Sequence, residues 1–507
     1  MGMAMVRISM TPISVVGALI TFLGSTAAWA ADLSIVPQVS SGVGYSDNIT
    51  LTHDAESSSI TRIDPSITLK RSTTFWDLGL TWSKTLVNYA NQEMDDIRNH
   101  SLNFHNAFRF YDDRIAYSYR HRIYRQQSER GASFNQDTLE GFQNSERLSE
   151  AVHRLNINTQ ASRWLDISGS VAAKNTHTQT SRDTDSDQLD YGLKLSTPEE
   201  NTLGLQGLLS WQVKDRTDHI NTDNDQKEVV TTAQLGIKRQ FWALGYEGYD
   251  ESFDNAGVSN SQGETYHGPY GQWYFSANSY FKLGYRIADD QSNDDHLYSE
   301  LRWAPTTRTQ LTFKNYQRFF GEAFELKLRQ RLKRTSHEFS ATREVSQRFG
   351  FASSAEQDEL SNQQNPNLQQ SNGPIDNDAF DGEGFVAKTY SWRSDYQRKR
   401  HQLSIKVEKV EREYFSPRPS EVDHSFTLDW QLTLSRSSSL AMSYDYQSLS
   451  FGTNDEDDLH RISLNWHKQL NQSIDLSADY SYSERISDTE SREYDANYIL
   501  FSLKKAF

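Results

Sequence analysis

Apolar and polar residues alternate along most of this chain with a period of two. Within residues 202–215, one face carries the apolar side chains of Leu203, Leu205, Leu209, Trp211 and Val213. Residues 425–435 and 473–483 repeat the pattern. A period of two places successive side chains on opposite faces of an extended strand, whereas a helix requires a period of 3.6. The pattern therefore predicts β-strands with one apolar face and one polar face.

The lengths of the alternating runs and of their connections indicate a membrane barrel. Each run covers roughly 9 to 14 residues, enough for a tilted strand to cross a bilayer, whereas strands of soluble sheets average nearer ~5–6 residues. One set of connections is short, as at 240–242 and 333–336, and the other is mostly long and acidic, as at 127–148. Outer-membrane barrels have this asymmetry, because their periplasmic turns are tight and their external loops are longer.

Counting strands between these connections predicts the fold. The count is about 24, within a range of 20 to 26, and an even number leaves both ends of the sheet on the periplasmic side. We therefore predict an all-β fold, a single closed antiparallel up-and-down transmembrane β-barrel over residues 31–507. Its largest insertion, 347–384, is predicted to be a long external loop. One connection of the long set, 318–323, is exceptionally short.

The composition fits a membrane-spanning sheet with one apolar face and one polar face. The mean hydropathy is −0.76, yet 12% of the residues are aromatic, and alternation across a membrane wall produces this combination. The chain has no cysteine, so disulfides do not hold the fold together. Its net charge of −16 argues against a nucleic-acid partner, because phosphate binding needs basic patches.

The first residues of the chain predict export. Arg7 supplies a positive start, residues 13–27 form a short apolar stretch, and Ala28-Trp29-Ala30 has the form of a cleavage site. The apolar stretch is too short to serve as a membrane anchor. We therefore expect a signal peptide over residues 1–30 and a mature chain in the outer membrane of a Gram-negative bacterium.

Tryptophans gather near the predicted short turns. Seven of them form a predicted periplasmic aromatic girdle: Trp76, Trp164, Trp242, Trp273, Trp303, Trp430 and Trp466. Aromatic side chains concentrate where a barrel meets the lipid headgroups, and the long-loop ends carry no such set. The alternative interpretation is that Trp simply favours strands.

The last segment of the chain, 497–507, predicts a closing strand. One of its faces carries Ile499, Phe501, Leu503 and Phe507. An amphipathic strand with a terminal aromatic residue resembles the C-terminal recognition signal of bacterial outer-membrane proteins, although Lys505 stands where an apolar residue is usual. The resemblance implies that the barrel assembly machinery is a partner.

The start of the mature chain resembles the opening strand of a known family. Within residues 41–52, the matching positions are Gly42, Gly44, Tyr45, Asp47 and Asn48. They resemble the β-barrel porin 2 group, which includes outer-membrane proteins associated with exopolysaccharide loci and with exosortase (PEP-CTERM) sorting systems. The resemblance implies a barrel in export of, or contact with, a surface polysaccharide, and it supplies no catalytic residues.

One acidic loop has the opening of a calcium site. Asp183, Asp185 and Asp187 are spaced like the first ligands of a calcium loop, but Gln188 replaces the glycine of the tight turn and Lys194 replaces the bidentate glutamate. A solvated acidic loop is therefore the better interpretation. We predict no metal site and no cofactor.

A barrel-embedded lipid or glycan hydrolase is a further possibility for such a fold. Ser118 with His121 is the pair to consider, but the chain contains no G-x-S-x-G motif. The better explanation is that both residues are ordinary strand residues without a catalytic role. We predict no catalytic residues and no enzymatic activity.

A basic stripe is predicted on the inward faces of three strands within a run of four neighbours. It consists of Lys282, Arg286, Arg302, Lys327, Arg329 and Arg331. Rings of Arg and Lys set anion preference in pores, so the stripe could guide an anionic sugar polymer. Because Glu300 and Glu325 interleave with it, the alternative is a ladder of cross-strand ion pairs that braces the wall.

These observations predict an outer-membrane pore that acts as a passive conduit for export of an exopolysaccharide or a related polar solute. The first alternative is a non-conducting structural or assembly barrel of a surface-polysaccharide or protein-sorting system, and the second is the hydrolase. Expected partners are outer-membrane lipid and lipopolysaccharide, the barrel assembly machinery and an anionic polysaccharide.

Overall fold

The chain folds into one closed antiparallel sheet. In the computed structural model, 24 strands pair in chain order, and the last strand pairs with the first. This confirms the predicted all-β up-and-down barrel. The structure describes residues 33–91, 96–127, 145–178, 185–198, 204–219, 225–255, 262–289, 294–346, 385–415, 419–450 and 455–507. The predicted signal peptide at 1–30, the loop at 347–384 and Asp183 lie outside these residues.

The strands are 10 to 18 residues long. They are β1 (Leu33–Ser46), β2 (Ser58–Ser72), β3 (Trp76–Tyr89), β4 (Ile97–Phe110), β5 (Ile115–Gln127), β6 (Ser145–Ser162), β7 (Leu165–Thr178), β8 (Ser186–Ser196), β9 (Leu205–Asp218), β10 (Gln226–Lys238), β11 (Trp242–Asn255), β12 (Gln262–Ser276), β13 (Ser279–Ala288), β14 (His296–Thr306), β15 (Thr309–Arg318), β16 (Gly321–Arg331), β17 (Thr335–Ser346), β18 (Phe385–Arg398), β19 (His401–Tyr414), β20 (Glu421–Ser435), β21 (Ser438–Ser450), β22 (Glu456–Gln469), β23 (Ile474–Ser487) and β24 (Tyr494–Ala506). Within the described ranges, the one helical element is a short 3₁₀ turn, Glu490–Arg492, and no helix is long and apolar enough to cross a membrane.

Several strands are longer than the sequence pattern predicts. The strand β6 begins at Ser145, inside the predicted loop 127–148, and pairs with β5 as far as Gln127. Alternation ends where both faces of a strand become polar, but the backbone ladder continues because each N–H and C=O group still needs a partner. Some predicted loops are therefore partly extensions of the sheet.

The two faces of the barrel differ in chemistry. Large apolar side chains are exposed on the outward face, for example those of Leu244, Leu297 and Phe501. Charged side chains such as Glu247 and Lys282 point inward at neighbouring positions. A belt of exposed apolar side chains is unfavourable in water and favourable in lipid, and closure of the sheet satisfies the backbone of every strand within the hydrocarbon. This is the architecture of an outer-membrane barrel.

The seam between β1 and β24 closes the barrel. A Cβ on Gly42 would lie 2.8 Å from Ser502 Oγ, and one on Gly44 would collide with the carbonyl oxygen of Ile499. Beyond the strands, Asp47 Oδ1 accepts a hydrogen bond from the amide of Asn497 at 2.6 Å. Three residues that carry the family resemblance are thus in contact with the last strand. In this structure, these three residues lie where the first and last strands close the sheet.

Candidate functional site in the barrel lumen

The lumen is packed at one end and solvent-exposed at the other. At the long-loop end, inward-facing side chains are fully buried around the whole wall, including Thr178, Glu251, Tyr266, Phe385, Glu421 and Asp457. At the short-turn end, the inward-facing side chains of Lys327 and Arg329 are 57% and 74% exposed. On the described wall, inward-facing side chains are thus buried at the long-loop end and exposed near the short turns of β16.

A buried ionic network occupies the packed end on strands β9 to β15. Arg318 reaches inward from the end of β15 to Glu228 on β10, with Nη2 2.6 Å from Oε1, and its guanidinium also pairs with Glu251 on β11. Glu228 accepts a second ion pair from Lys214 at 2.9 Å. Arg318 lies four strands from Glu251 and five strands from Glu228 around the wall. These ion pairs therefore bring distant strands of this sector into contact.

A second part of the network centres on Glu247. This carboxylate is only 2% exposed and accepts hydrogen bonds from Lys282 Nζ at 2.8 Å and from Arg286 Nε at 3.1 Å. Tyr270 lies 4.2 Å from the Lys282 ammonium, and Tyr298 lies 4.5 Å from the Arg286 guanidinium. Ion pairs and aromatic faces together offset the cost of removing these charges from water.

An aromatic cluster joins distant strands at the same end. Phe253 on β11 stacks on Phe319, in the two-residue turn between β15 and β16, with ring centroids 4.9 Å apart. Phe415, just after β19, lies 5.5 Å from Phe253 and 6.0 Å from Phe319. Strands eight apart would be separated by roughly 40 Å along an open wall, because neighbours are ~4.8 Å apart. The cluster is thus a constriction across part of the long-loop end.

The structure divides the predicted basic stripe into two groups. Lys282 and Arg286 belong to the buried network, and Arg302, Lys327, Arg329 and Arg331 lie exposed on the inward face near the short turns. In the exposed group, Lys327 pairs with Glu325 at 2.9 Å, and Arg329 is 3.7 Å from Glu338. Glu300 accepts a hydrogen bond from Tyr280. Ion pairs therefore involve both buried members and two of the four exposed members. The lumen-guiding role of the exposed members stays a prediction.

Sequence reasoning named Glu300 and Glu325 but missed the carboxylates of the buried network and Arg318. Glu247 and Glu251 lie on the inward face of β11, and Arg318 ends β15. A signal was present, because Gly245, Glu247, Tyr249 and Glu251 follow the inward period of two. Arg318 also stands in the exceptionally short connection at 318–323, which the turn of Phe319 and Phe320 now explains.

The predicted girdle residues all lie on the outward face or in a turn near the short-turn end. Trp242 and Trp273 are direct cross-strand partners, and Trp303 is exposed on β14. Trp76 differs from these, because it is buried and its Nε1 donates to Asn106 Oδ1 at 2.7 Å. Trp164 lies in the turn between β6 and β7, whereas Trp430 and Trp466 lie five and three residues before the ends of β20 and β22. Their membership of a headgroup girdle stays a prediction.

The other predicted positions lie on separate parts of the wall. Ile499, Phe501, Leu503 and Phe507 point outward from the closing strand. Ser118 and His121 fall on opposite faces of β5, and His121 Nε2 lies 3.0 Å from Ser149 Oγ instead. Asp185 contacts His177 at 2.7 Å. Over the described ranges, no group of three or more side chains is arranged to hold a metal ion.

Comparison with known proteins gives likenesses of architecture. No protein-family model matches the chain, and no curated protein matches it either. Among solved structures, the FrpB iron transporter from Neisseria meningitidis (F3-3 variant) is 8% identical with a TM-score of 0.46, covering 93% of this chain and 81% of that one. The ferric-catecholate import receptor Fiu from E. coli K12 is 9% identical with a TM-score of 0.45, covering 94% and 82%. The siderophore receptor PirA from Pseudomonas aeruginosa is 10% identical with a TM-score of 0.40, covering 93% and 80%.

Proposed function

We propose that this barrel is an outer-membrane pore that carries an anionic polysaccharide from the periplasm to the cell surface without covalent chemistry. The observation that carries the proposal is the set of four exposed residues of the basic stripe. Arg302, Lys327, Arg329 and Arg331 face the open end of the lumen, which in the predicted topology is the periplasmic end. An exported polymer would meet these cations first.

The charge of this region favours an anionic cargo. The four exposed cations stand beside Glu325 and Glu338, so positive charge is in excess on this part of the wall. Charges that line a narrow, water-filled space raise the local concentration of counter-ions and set pore selectivity. The family resemblance at the start of the mature chain favours a surface polysaccharide as that anion.

Charge reversal tests this proposal. In planar bilayers containing the refolded mature chain, we expect R302E/R329E/R331E to lower the anion-to-cation permeability ratio several-fold, because it replaces guiding cations with anions. The matched control is R302K/R329K/R331K, which keeps the charges and should keep the ratio. An unchanged ratio in the Glu variant would refute a guiding role for the stripe.

A non-conducting structural barrel is the second candidate, and the packed long-loop end favours it. The cluster of Phe253, Phe319 and Phe415 narrows the route that a cargo would take through the long-loop end. A pore should therefore conduct more current when these rings are removed, whereas a structural barrel should stay silent.

Truncating the aromatic cluster separates the two candidates. If the barrel is a pore, we expect F253A/F319A/F415A to increase single-channel conductance or open frequency, since three rings leave the constriction. The control variant F110A/F241A/F275A removes three exposed, outward or turn-borne rings and should conduct like the wild type. Silence of the wild type and of both variants would favour the structural candidate.

A further inference from the structure

The two-residue turn between β18 and β19 forms a cationic cleft on the outside of the barrel. Arg398, Lys399 and Arg400 surround a cavity of about 450 Å³. Its remaining lining consists of His401 and the apolar or aromatic side chains of Tyr396, Leu403 and Trp430. The volume lies within the range of small-molecule sites, roughly 300 to 1,000 Å³.

The floor of the cleft belongs to the lipid-facing surface. Tyr396, Leu403 and Trp430 are direct neighbours on three adjacent strands, and they share the outward face with Trp392. The His401 ring stacks on Trp430, with centroids 6.2 Å apart and planes 21° apart. An apolar floor therefore continues from the hydrocarbon belt up to the level of the turn.

The cations at the rim of the cleft have no acidic partners in the described structure. Among the residues it describes, no carboxylate forms an ion pair with Arg398, Lys399 or Arg400, and the nearby Asp395 pairs with Arg393 at 3.1 Å on the inward face. Lys399 adopts a left-handed backbone with φ of 45°. Glycine or asparagine fits such a turn position with less strain, so a lysine there carries a conformational cost.

We propose that this cleft binds the phosphate headgroup of an anionic phospholipid in the periplasmic leaflet of the outer membrane. The guanidinium and ammonium groups match a phosphate, and the floor of Tyr396, Leu403 and Trp430 matches the first part of the acyl chains. A free phosphate would use the cations but not the floor. The proposal does not depend on whether the barrel conducts.

Native mass spectrometry of the full-length mature barrel in detergent tests the site. We expect saturable binding of one phosphatidylglycerol molecule, and on the order of 100-fold weaker binding to R398A/K399A/R400A, because each basic residue near an anionic headgroup contributes about tenfold or less. The matched control R308A/K333A/R436A removes the same charge from three other short turns and should bind within about threefold of the wild type. Circular dichroism checks that each variant is folded.

Additional ligands distinguish the source of the phosphate. W430A should weaken phosphatidylglycerol binding and leave glycerol phosphate binding unchanged, and phosphatidylcholine should bind more weakly than phosphatidylglycerol. If the two triple variants lost phosphatidylglycerol binding equally, the specific site would be overturned. The lipid would then be attracted diffusely to the basic short turns. Glycerol phosphate that binds as tightly as the lipid would overturn the lipid assignment. Displacement of the lipid by alginate would identify a docking surface for an anionic polysaccharide instead.

Discussion

At the scale of single residues, buried charge in the lumen distinguishes this barrel from a simple water-filled tube. Glu247 holds Lys282 and Arg286 together in a region from which solvent is excluded. Breaking a buried pair by removing one partner is costly, because the remaining charge is left without compensation. An ion pair that water can reach contributes much less, because solvent screens it.

The substitution E247Q tests this difference. It keeps the shape of the side chain but leaves two buried cations without their shared carboxylate, so we expect it to lower the free energy of unfolding by about 3–5 kcal/mol. Urea unfolding of the refolded barrel in detergent micelles, followed by tryptophan fluorescence, measures the change.

The matched control for this test is E338Q. Glu338 is 55% exposed and lies 3.7 Å from Arg329, so its loss should cost less than about 1 kcal/mol. Similar effects of the two substitutions would contradict a structural role for the Glu247 cluster.

At the scale of strands, the seam between β1 and β24 leaves little room for a side chain at Gly42 or Gly44. Asn48 Nδ2 donates to the carbonyl oxygens of Thr52 and Asp495, at 2.8 Å and 3.0 Å, so the loop after β1 is anchored to β24. Ile49, near the start of that loop, packs among inward-facing apolar side chains that include Ile60 and Leu500. The seam is therefore closed both by the ladder and by the loop above it.

Adding a side chain at Gly44 should prevent this closure. A valine there would collide with the backbone carbonyl of Ile499, so we expect G44V to lose the compact, heat-modifiable form seen on cold SDS gels. Gly248 provides the control, because a Cβ at that position meets no atom within 4 Å. A normal compact band for G44V, or an equal loss for G248V, would show that the seam tolerates a side chain.

The fold could be predicted from the sequence more completely than the candidate site. Alternation is a local property, so strand number and facing were predictable, and the cations of Arg302 and Arg329 were placed on the inward wall by counting within a strand. Strand ends were less predictable, because pairing at Ser145 continues after alternation has stopped. The contact of Phe253 with Phe415 depends on how the wall bends between distant strands, and no local pattern encodes that path.

At the scale of the whole molecule, charge is distributed unevenly between the two ends of the barrel. The short turns between β16 and β21 carry Lys333, Arg334, Lys399, Arg400 and Arg436, whereas the long connections are rich in acidic residues, as at 289–295. On the part of the barrel between β16 and β21, positive charge therefore lies on the predicted periplasmic side. An anionic polymer would be attracted at one end and repelled from the other, which gives a passive conduit a preferred direction of loading.

The seam also has a consequence for the time course of biosynthesis. The amide of Phe507 donates to the carbonyl oxygen of Pro37 at 2.9 Å, so the first strand obtains its second neighbour only when the last one has been made. Until then the growing sheet has two unpaired edges, which invite pairing with other chains. Closure joins residues about as far apart in sequence as the chain allows, and such contacts form slowly. A cell making this protein must therefore keep the nascent chain soluble and apart from its copies until β24 has been made.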